Sequence, residues 1–155
     1  MKCTIWYMQI DYSVEIDATA AQVWTIYADV ERWPEWTTSV LRVVALDGPG
    51  IAVGKHFEIK QPRFPNLIWE VTEVADGTSW VWRQRSLGGT TLASHEIVES
   101  GTGGVIVRQR IEQSGPVGRV VGVLTRRIGR RYLELEAQGL KSRSETKSLH
   151  DAPRD

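Results

Sequence analysis

The stretch Pro116-Val117-Gly118-Arg119-Val120-Val121-Gly122-Val123-Leu124-Thr125-Arg126-Arg127-Ile128-Gly129-Arg130-Arg131-Tyr132-Leu133-Glu134-Leu135-Glu136-Ala137-Gln138-Gly139-Leu140 repeats with the period of a helix. Val117, Val120, Val121, Leu124, Ile128, Tyr132 and Leu135 fall on one stripe, over a length that exceeds an average helix. The single proline stands at the first position, where a missing amide costs nothing. Four glycines, Gly115, Gly118, Gly122 and Gly129, each weaken a helix by roughly 1 kcal/mol relative to alanine and are expected to let it flex. The spacing predicts one long C-terminal helix.

Upstream the period is two. Met8, Ile10, Tyr12, Val14 and Ile16 alternate with Gln9, Asp11, Ser13, Glu15 and Asp17, as in a half-buried strand. At Ala18-Thr19-Ala20-Ala21 the period changes, and Thr19 can cap a short helix with Val23, Trp24, Ile26 and Tyr27 on its apolar face. Trp33-Pro34-Glu35-Trp36 places a proline where a second short helix could begin. Six further segments have strand character: 39–46, 55–61, 67–74, 79–86, 91–98 and 105–113. Asp47-Gly48-Pro49-Gly50, Asp76-Gly77, Gly88-Gly89 and Gly101-Thr102-Gly103-Gly104 supply turn chemistry between strands, so consecutive hairpins of an antiparallel meander are predicted.

The predicted order is strand, two short helices, six strands and a long helix. This is an α+β chain in which a curved antiparallel sheet of about seven strands wraps round the C-terminal helix. Residues 1–140 are expected to form the domain. Residues 141–155 are polar, end in Ala152-Pro153-Arg154-Asp155, and are expected to fray or be disordered.

Composition narrows the function classes. With 155 residues the chain has room for one core. Hydrophobic residues at 41% and charged residues at 25% fit a compact domain rather than a disordered one. Lys+Arg and Asp+Glu both number 19, so nothing long-ranged draws the whole domain to nucleic acid or to an anionic surface. Cys3 is the one cysteine, which excludes an internal disulfide and suits a reducing, cytoplasmic setting. The first residues reach Asp11 before a signal-length apolar run forms and read as a strand on which Trp6 shields an edge; no membrane insertion is expected.

Several motifs together carry a resemblance: Ile16-Asp17-Ala18 followed by Val23-Trp24, the Trp33-Pro34-Glu35-Trp36 box, Trp69-Glu70-Val71 after a Pro-Asn turn, and Gly101-Thr102-Gly103-Gly104 before the last strand. They resemble the polyketide cyclase/dehydrase (SRPBCC) branch of the START-like helix-grip superfamily, from about Tyr12 to Leu140. The resemblance implies a helix-grip fold with a cavity between sheet and long helix that takes lipids, polyketides, hormones or other apolar molecules. It brings no catalytic signature, because these motifs speak for fold rather than activity.

Strand parity selects candidate cavity residues. Tyr12 comes from the first strand; Phe57, Ile59 and Gln61 from the third; Trp69 and Val71 from the fourth. The next strand is ambiguous, since Trp80, Trp82 and Gln84 share one face while Val81, Arg83 and Arg85 share the other; the indoles are taken as inward, where they could stack on a flat ligand. His95 and Ile97, then Val107 and Gln109, complete the sheet side, and Leu124, Ile128 and Tyr132 the helix side. A polar side chain facing an apolar space costs roughly 1–3 kcal/mol if unpaired, so His95, Gln109 and Gln61 each ask for a partner. For His95 that partner is a ligand, with the imidazole as acid, base or donor, or else a neighbouring Tyr, Gln or water.

Other constellations lead nowhere. His56, His95 and His150 lack metal-ligand spacing, and neither a metal nor another cofactor is expected. Gly101-Thr102-Gly103-Gly104 lies between strands and lacks the helix a phosphate loop needs. Arg126, Arg127, Arg130 and Arg131, answered by Glu134 and Glu136, form a solvated face or a docking patch for an acidic partner or anionic head group. Two function classes remain beside a third, interaction with another protein through the sheet rim or helix, that rests on analogy alone. One is a monomeric or homodimeric module that binds a small hydrophobic molecule. The other is a cyclase- or dehydratase-type enzyme with His95 as acid/base.

Overall fold

A computed structural model describes residues 7–151 of the chain; Cys3, Trp6 and the terminal Ala152-Pro153-Arg154-Asp155 lie outside the described residues. Strand β1 (Tyr7–Ile16) leads into helix α1 (Ala20–Tyr27) and a 3₁₀ turn over Val30–Glu35. Strands β2 (Arg42–Ala45), β3 (His56–Lys60), β4 (Leu67–Ala75), β5 (Ser79–Ser86), β6 (Gly89–Glu99) and β7 (Val105–Ser114) follow, and helix α2 (Pro116–Asp151) ends the fold. The strands form one seven-stranded antiparallel sheet in the order β1-β7-β6-β5-β4-β3-β2. The predicted α+β, helix-grip architecture is the observed one. A register shift between Val71 and Glu73 marks a bulge in β4, a feature that bends a strand and increases its twist.

Local chemistry explains the elements. Thr19 caps α1 through a reciprocal pair with Gln22: Gln22 N–H donates to Thr19 Oγ1 at 3.2 Å, and Thr19 N–H donates to Gln22 Oε1 at 3.0 Å. Pro34 does not start the second short helix. It lies near the end of the 3₁₀ turn, where Trp33 is buried and its indole donates to the Tyr27 carbonyl at 2.8 Å. The β2 segment is shorter than predicted: four residues pair in register with β3, and Leu41 and Leu46 on either side add single amide bonds to the Lys60 and His56 carbonyls at 2.8 and 2.9 Å.

The long helix differs from its sequence reading in phase, length and the use of glycine. Gly118, Gly122, Leu133, Glu136, Ala137 and Leu140 face the sheet, whereas Leu124 is 78% exposed and Val120 is exposed too. Leu124 is therefore not a cavity residue, and Ile128, half-buried, does not line the cavity either. The glycines are sites of close approach rather than of flexing. A Cβ on Gly122 would sit 2.5 Å from Gln113 Oε1 and 2.7 Å from Met8 Cε, and one on Gly139 would overlap the Trp36 carbonyl oxygen. Gly115, at φ 85°, turns the chain from β7 into α2, where a Cβ would meet the Gly88 carbonyl oxygen at 2.6 Å.

The helix also continues to Asp151, so 141–151 is not the frayed tail expected from its polarity. Ser144 is buried, Glu145 accepts from the Asp17 amide at 2.9 Å, and Lys141 donates to the Glu15 carbonyl at 2.7 Å. Polar contacts with the end of β1 thus replace the apolar contacts the segment lacks.

Gly139→Ala should lower stability by about 1–3 kcal/mol in urea unfolding, because the backbone of Trp36 cannot yield to the new methyl group. Gly129→Ala, whose methyl would meet only Ile10 Cδ1 at 3.2 Å, should be neutral or stabilising, since helix propensity gains about 1 kcal/mol there.

Candidate functional site

The sheet presents its concave face to α2 in transverse rows fixed by strand register. The deepest row relevant here runs Trp80, His95, Gln109, Tyr12 across β5, β6, β7 and β1. The next toward the β5–β6 turn is Trp82, Ala93, Ile111, Ile10, and beyond it come Trp69, Gln84, Thr91, Gln113 and Met8. The face parity chosen for β5 is the observed one, with Trp80, Trp82 and Gln84 buried.

Between these outer rows and the helix lies a cavity of ≈ 270 Å³. Trp33, Trp69, Trp82, Ile111 and Leu133 form much of its apolar wall; His95 and Glu136 close its floor. Gly129 lines the helix side and makes room where a larger residue would fill it. Exposed lining residues Pro65, Ser86, Val117 and Val121 mark the mouth. Tyr132 latches the helix to the β3–β4 loop, donating to the Pro62 carbonyl and meeting Phe64 edge-on at 5.9 Å.

Of the candidates read from the sequence, Ile59, Gln61, Trp69, Trp82, His95 and Tyr132 line this space. Phe57, Val71, Trp80, Ile97 and Val107 face the same way but pack as solid core beyond the floor. Tyr12 packs with Met8, Ile10 and Leu133 and accepts from Gln138 at 3.3 Å, at one side of the cavity. Gln109 is buried under the floor, and Leu124 points outward. Glu136 is the main residue that sequence reasoning missed, having been assigned to the arginine cluster; Trp33, Phe64, Thr91 and Gln113 were missed with it. The phase shared by Gly118, Gly122, Gly129, Leu133 and Leu140 would have placed Glu136 inside.

The floor is a polar cluster sealed by aromatic rings. Tyr27 O–H donates to Glu136 Oε1 at 3.2 Å, and Gln109 Nε2 donates both to Tyr27 Oη at 2.9 Å and to Glu136 Oε1. His95 Nε2 lies 3.7 Å from the same Oε1, its ring stacked on Trp80 with centroids 4.3 Å apart. His95 Nδ1 and Gln109 Oε1 are buried without a hydrogen-bond partner among the described residues.

Burial dominates the protonation of both titratable groups. It pushes Glu136 up to about 8, against the hydrogen bonds from Tyr27 and Gln109 that favour the carboxylate. It pushes His95 down to about 3, only partly opposed by the Trp80 backbone. Near neutral pH the site thus holds a neutral imidazole and a protonated carboxylic acid. Because Oε1 already accepts two hydrogen bonds, Oε2 is the oxygen left to carry the acidic proton. Among the described residues no group of three or more His, Cys, Asp or Glu is placed to hold a metal ion.

A sequence family described as "Polyketide cyclase / dehydrase and lipid transport" matches residues 8–145. No curated protein matches the chain. Among solved structures it is similar to the di-domain ARO/CYC StfQ from the steffimycin biosynthetic pathway, with a TM-score of 0.74 and 12% identity. That likeness covers 92% of this chain and 52% of StfQ, so the chain spans about half the length of that protein. It is also similar to a hypothetical protein from Helicobacter pylori, with a TM-score of 0.73 and 14% identity, covering 91% of this chain and 89% of the other. At these identities both likenesses speak for the fold.

Stability should be greatest between about pH 4.5 and 6.5 and fall on both sides. Glu136 is raised from 4.5, so its favourable contribution is complete below that value and is lost as pH rises toward 8. His95 is lowered from 6.5, so its contribution is complete above that value and is lost as pH falls toward 3. Each limb should amount to a few kcal/mol in urea unfolding across pH. Glu136→Gln should flatten the alkaline limb alone and His95→Gln the acid limb alone.

Proposed function

The chain belongs to the polyketide cyclase/dehydrase and lipid transport family, and from that premise we propose that residues 1–140 bind one small, flat, largely apolar molecule whose hydrogen-bond acceptor rests against Glu136. The observation that carries this reading is a cavity walled by Trp33, Trp69 and Trp82 with a protonated acid at its floor. Its volume of ≈ 270 Å³ suits a metabolite of modest size, slightly below the usual range of drug-sized pockets. The indole faces supply stacking surface, and Oε2–H supplies one directional contact to a carbonyl or phenol oxygen.

A second reading, a cyclase- or dehydratase-type reaction on a polyketide-like substrate, is favoured by the likeness to an ARO/CYC protein and by Glu136 itself. An acid titrating at about 8 can lend and recover a proton near neutral pH. His95, neutral over that range, then serves as the polar neighbour that tunes and orients the acid. Glu136 thereby takes over the proton-carrying role that sequence reasoning gave to His95.

Native mass spectrometry of the purified protein should reveal a bound small molecule, and a neutral apolar dye such as Nile red should bind one per chain. Gly129→Leu, which fills the space beside Ile10, should weaken dye binding at least tenfold; a cavity-filled variant that binds unchanged would sink the reading. Glu136→Gln should lower affinity several-fold for aromatic ketones and leave purely hydrocarbon ligands unaffected. Under the enzymatic reading the same substitution should lower turnover roughly 10²-fold or more with binding largely kept.

A further inference from the structure

The mouth of the cavity carries an exposed apolar tip that its function as a binding cavity does not require. Leu87, at the β5–β6 turn, is 96% exposed, and on the first turns of α2 Val120, Val123 and Leu124 are exposed with it. The turn and the helix meet, because a Cβ on Gly88 would lie 2.6 Å from Val117 Cγ2. Ser86, Val117 and Val121 line the cavity itself, so tip and mouth are one place.

Behind the tip lies a basic collar. Arg127, Arg130 and Arg131 follow Val120, Val123 and Leu124 at seven-residue spacing, so each arginine stands on the same helical face about 10 Å farther along the axis. The stretch 113–133 contains five arginines and no Asp or Glu. Arg131 pairs with Glu134 at 3.0 Å, while Arg126, Arg127 and Arg130 make no ion pair among the described residues. The neutral balance of the whole chain therefore conceals a strongly positive end.

The start of the helix is prepared for an apolar medium as well. Pro116 has no amide proton, Val117 and Gly118 N–H both reach the Gly88 carbonyl, at 3.0 and 3.5 Å, and Arg119 N–H donates to the Gly115 carbonyl at 3.0 Å. The first-turn amides, which normally need water, are satisfied within the protein.

From this juxtaposition we propose that the cavity mouth docks on an anionic lipid bilayer, with Leu87, Val120, Val123 and Leu124 seated at the headgroup–acyl boundary and the arginine collar on the lipid phosphates. With the end of the helix directed at the bilayer, the roughly 10 Å of axial rise sets the apolar residues below the level of the arginines, and arginine suits phosphate geometry. Docking of this kind gives an apolar molecule a path between membrane and cavity without crossing water.

The test is flotation of the purified full chain with vesicles of phosphatidylcholine alone or mixed with phosphatidylglycerol. The chain should float with the anionic vesicles at least tenfold better than with the neutral ones, and raised salt should release it. Val123→Asp/Leu124→Asp should abolish flotation, and Arg127→Glu/Arg130→Glu should weaken it at least tenfold, with melting temperature and Nile red binding unchanged in both. Failure of the wild-type chain to float, or undiminished flotation of either double variant, overturns docking. So does a stable dimer that buries Leu124 in solution, since a second copy would then be the occupant. Retained dye binding in any of these cases leaves the ligand-binding reading standing.

Discussion

The close approach of α2 to the concave sheet is the constraint on which the remaining geometry depends. Gly118 and Gly122 let the helix backbone come so near the sheet that a side chain on Gly122 would collide with Gln113 and Met8, and one on Gly118 would press on the Gly89 backbone at 3.3 Å. Pinned at that end, and docked farther along by Leu133, Ala137 and Leu140, the helix spans the curved surface between two fixed points. The hollow is what the curvature leaves over, because Thr125 and Gly129 are too small to fill it. A leucine stripe in that phase would close the same fold solid.

That geometry also dictates the electrostatics of the floor. Glu136 faces the sheet within the same helical stripe and must enter a wall of Tyr27, Trp33 and Trp80. An ionised pair with His95 at 3.7 Å would gain about 4 kcal/mol at an effective dielectric of 20, whereas desolvating two ions costs several kcal/mol each. The neutral pair wins, and the acid keeps its proton. Tyr27, itself pushed well above its usual range by burial, contributes an oriented dipole rather than a charge.

The fold was legible because its signals are periodic. Alternation in β1, the glycine turns and the capping threonine at Thr19 each act locally, and the sheet follows from their order. The site was less legible for two physical reasons. Parity says on which face of the sheet a residue lies but not how far along the barrel-like hollow, so Ile97 and Val107 looked equivalent to Trp82 and Ala93. Helix phase was drawn through the valines, yet a helix that packs by close approach marks its inner face with glycine, which hydrophobicity overlooks. Leu124 and Glu136 consequently exchanged sides, and the polarity of 141–151 concealed a segment held by hydrogen bonds to β1 and its neighbours.

The pairing of β1 with β7 joins the first strand in sequence to the last, with Tyr7 opposite Ser114. Strands β2 to β6 can add hairpin by hairpin as they emerge from the ribosome, but β1 has no partner until β7 has been synthesised. At usual elongation rates that interval is on the order of ten seconds, during which Met8 and Ile10 have no sheet to join and α1 has no floor to cover. The contact that fixes the cavity wall is therefore among the last to form, and the long loop it closes places this chain among slow folders governed by topology. For the newborn protein, the vulnerable element is the strand made first.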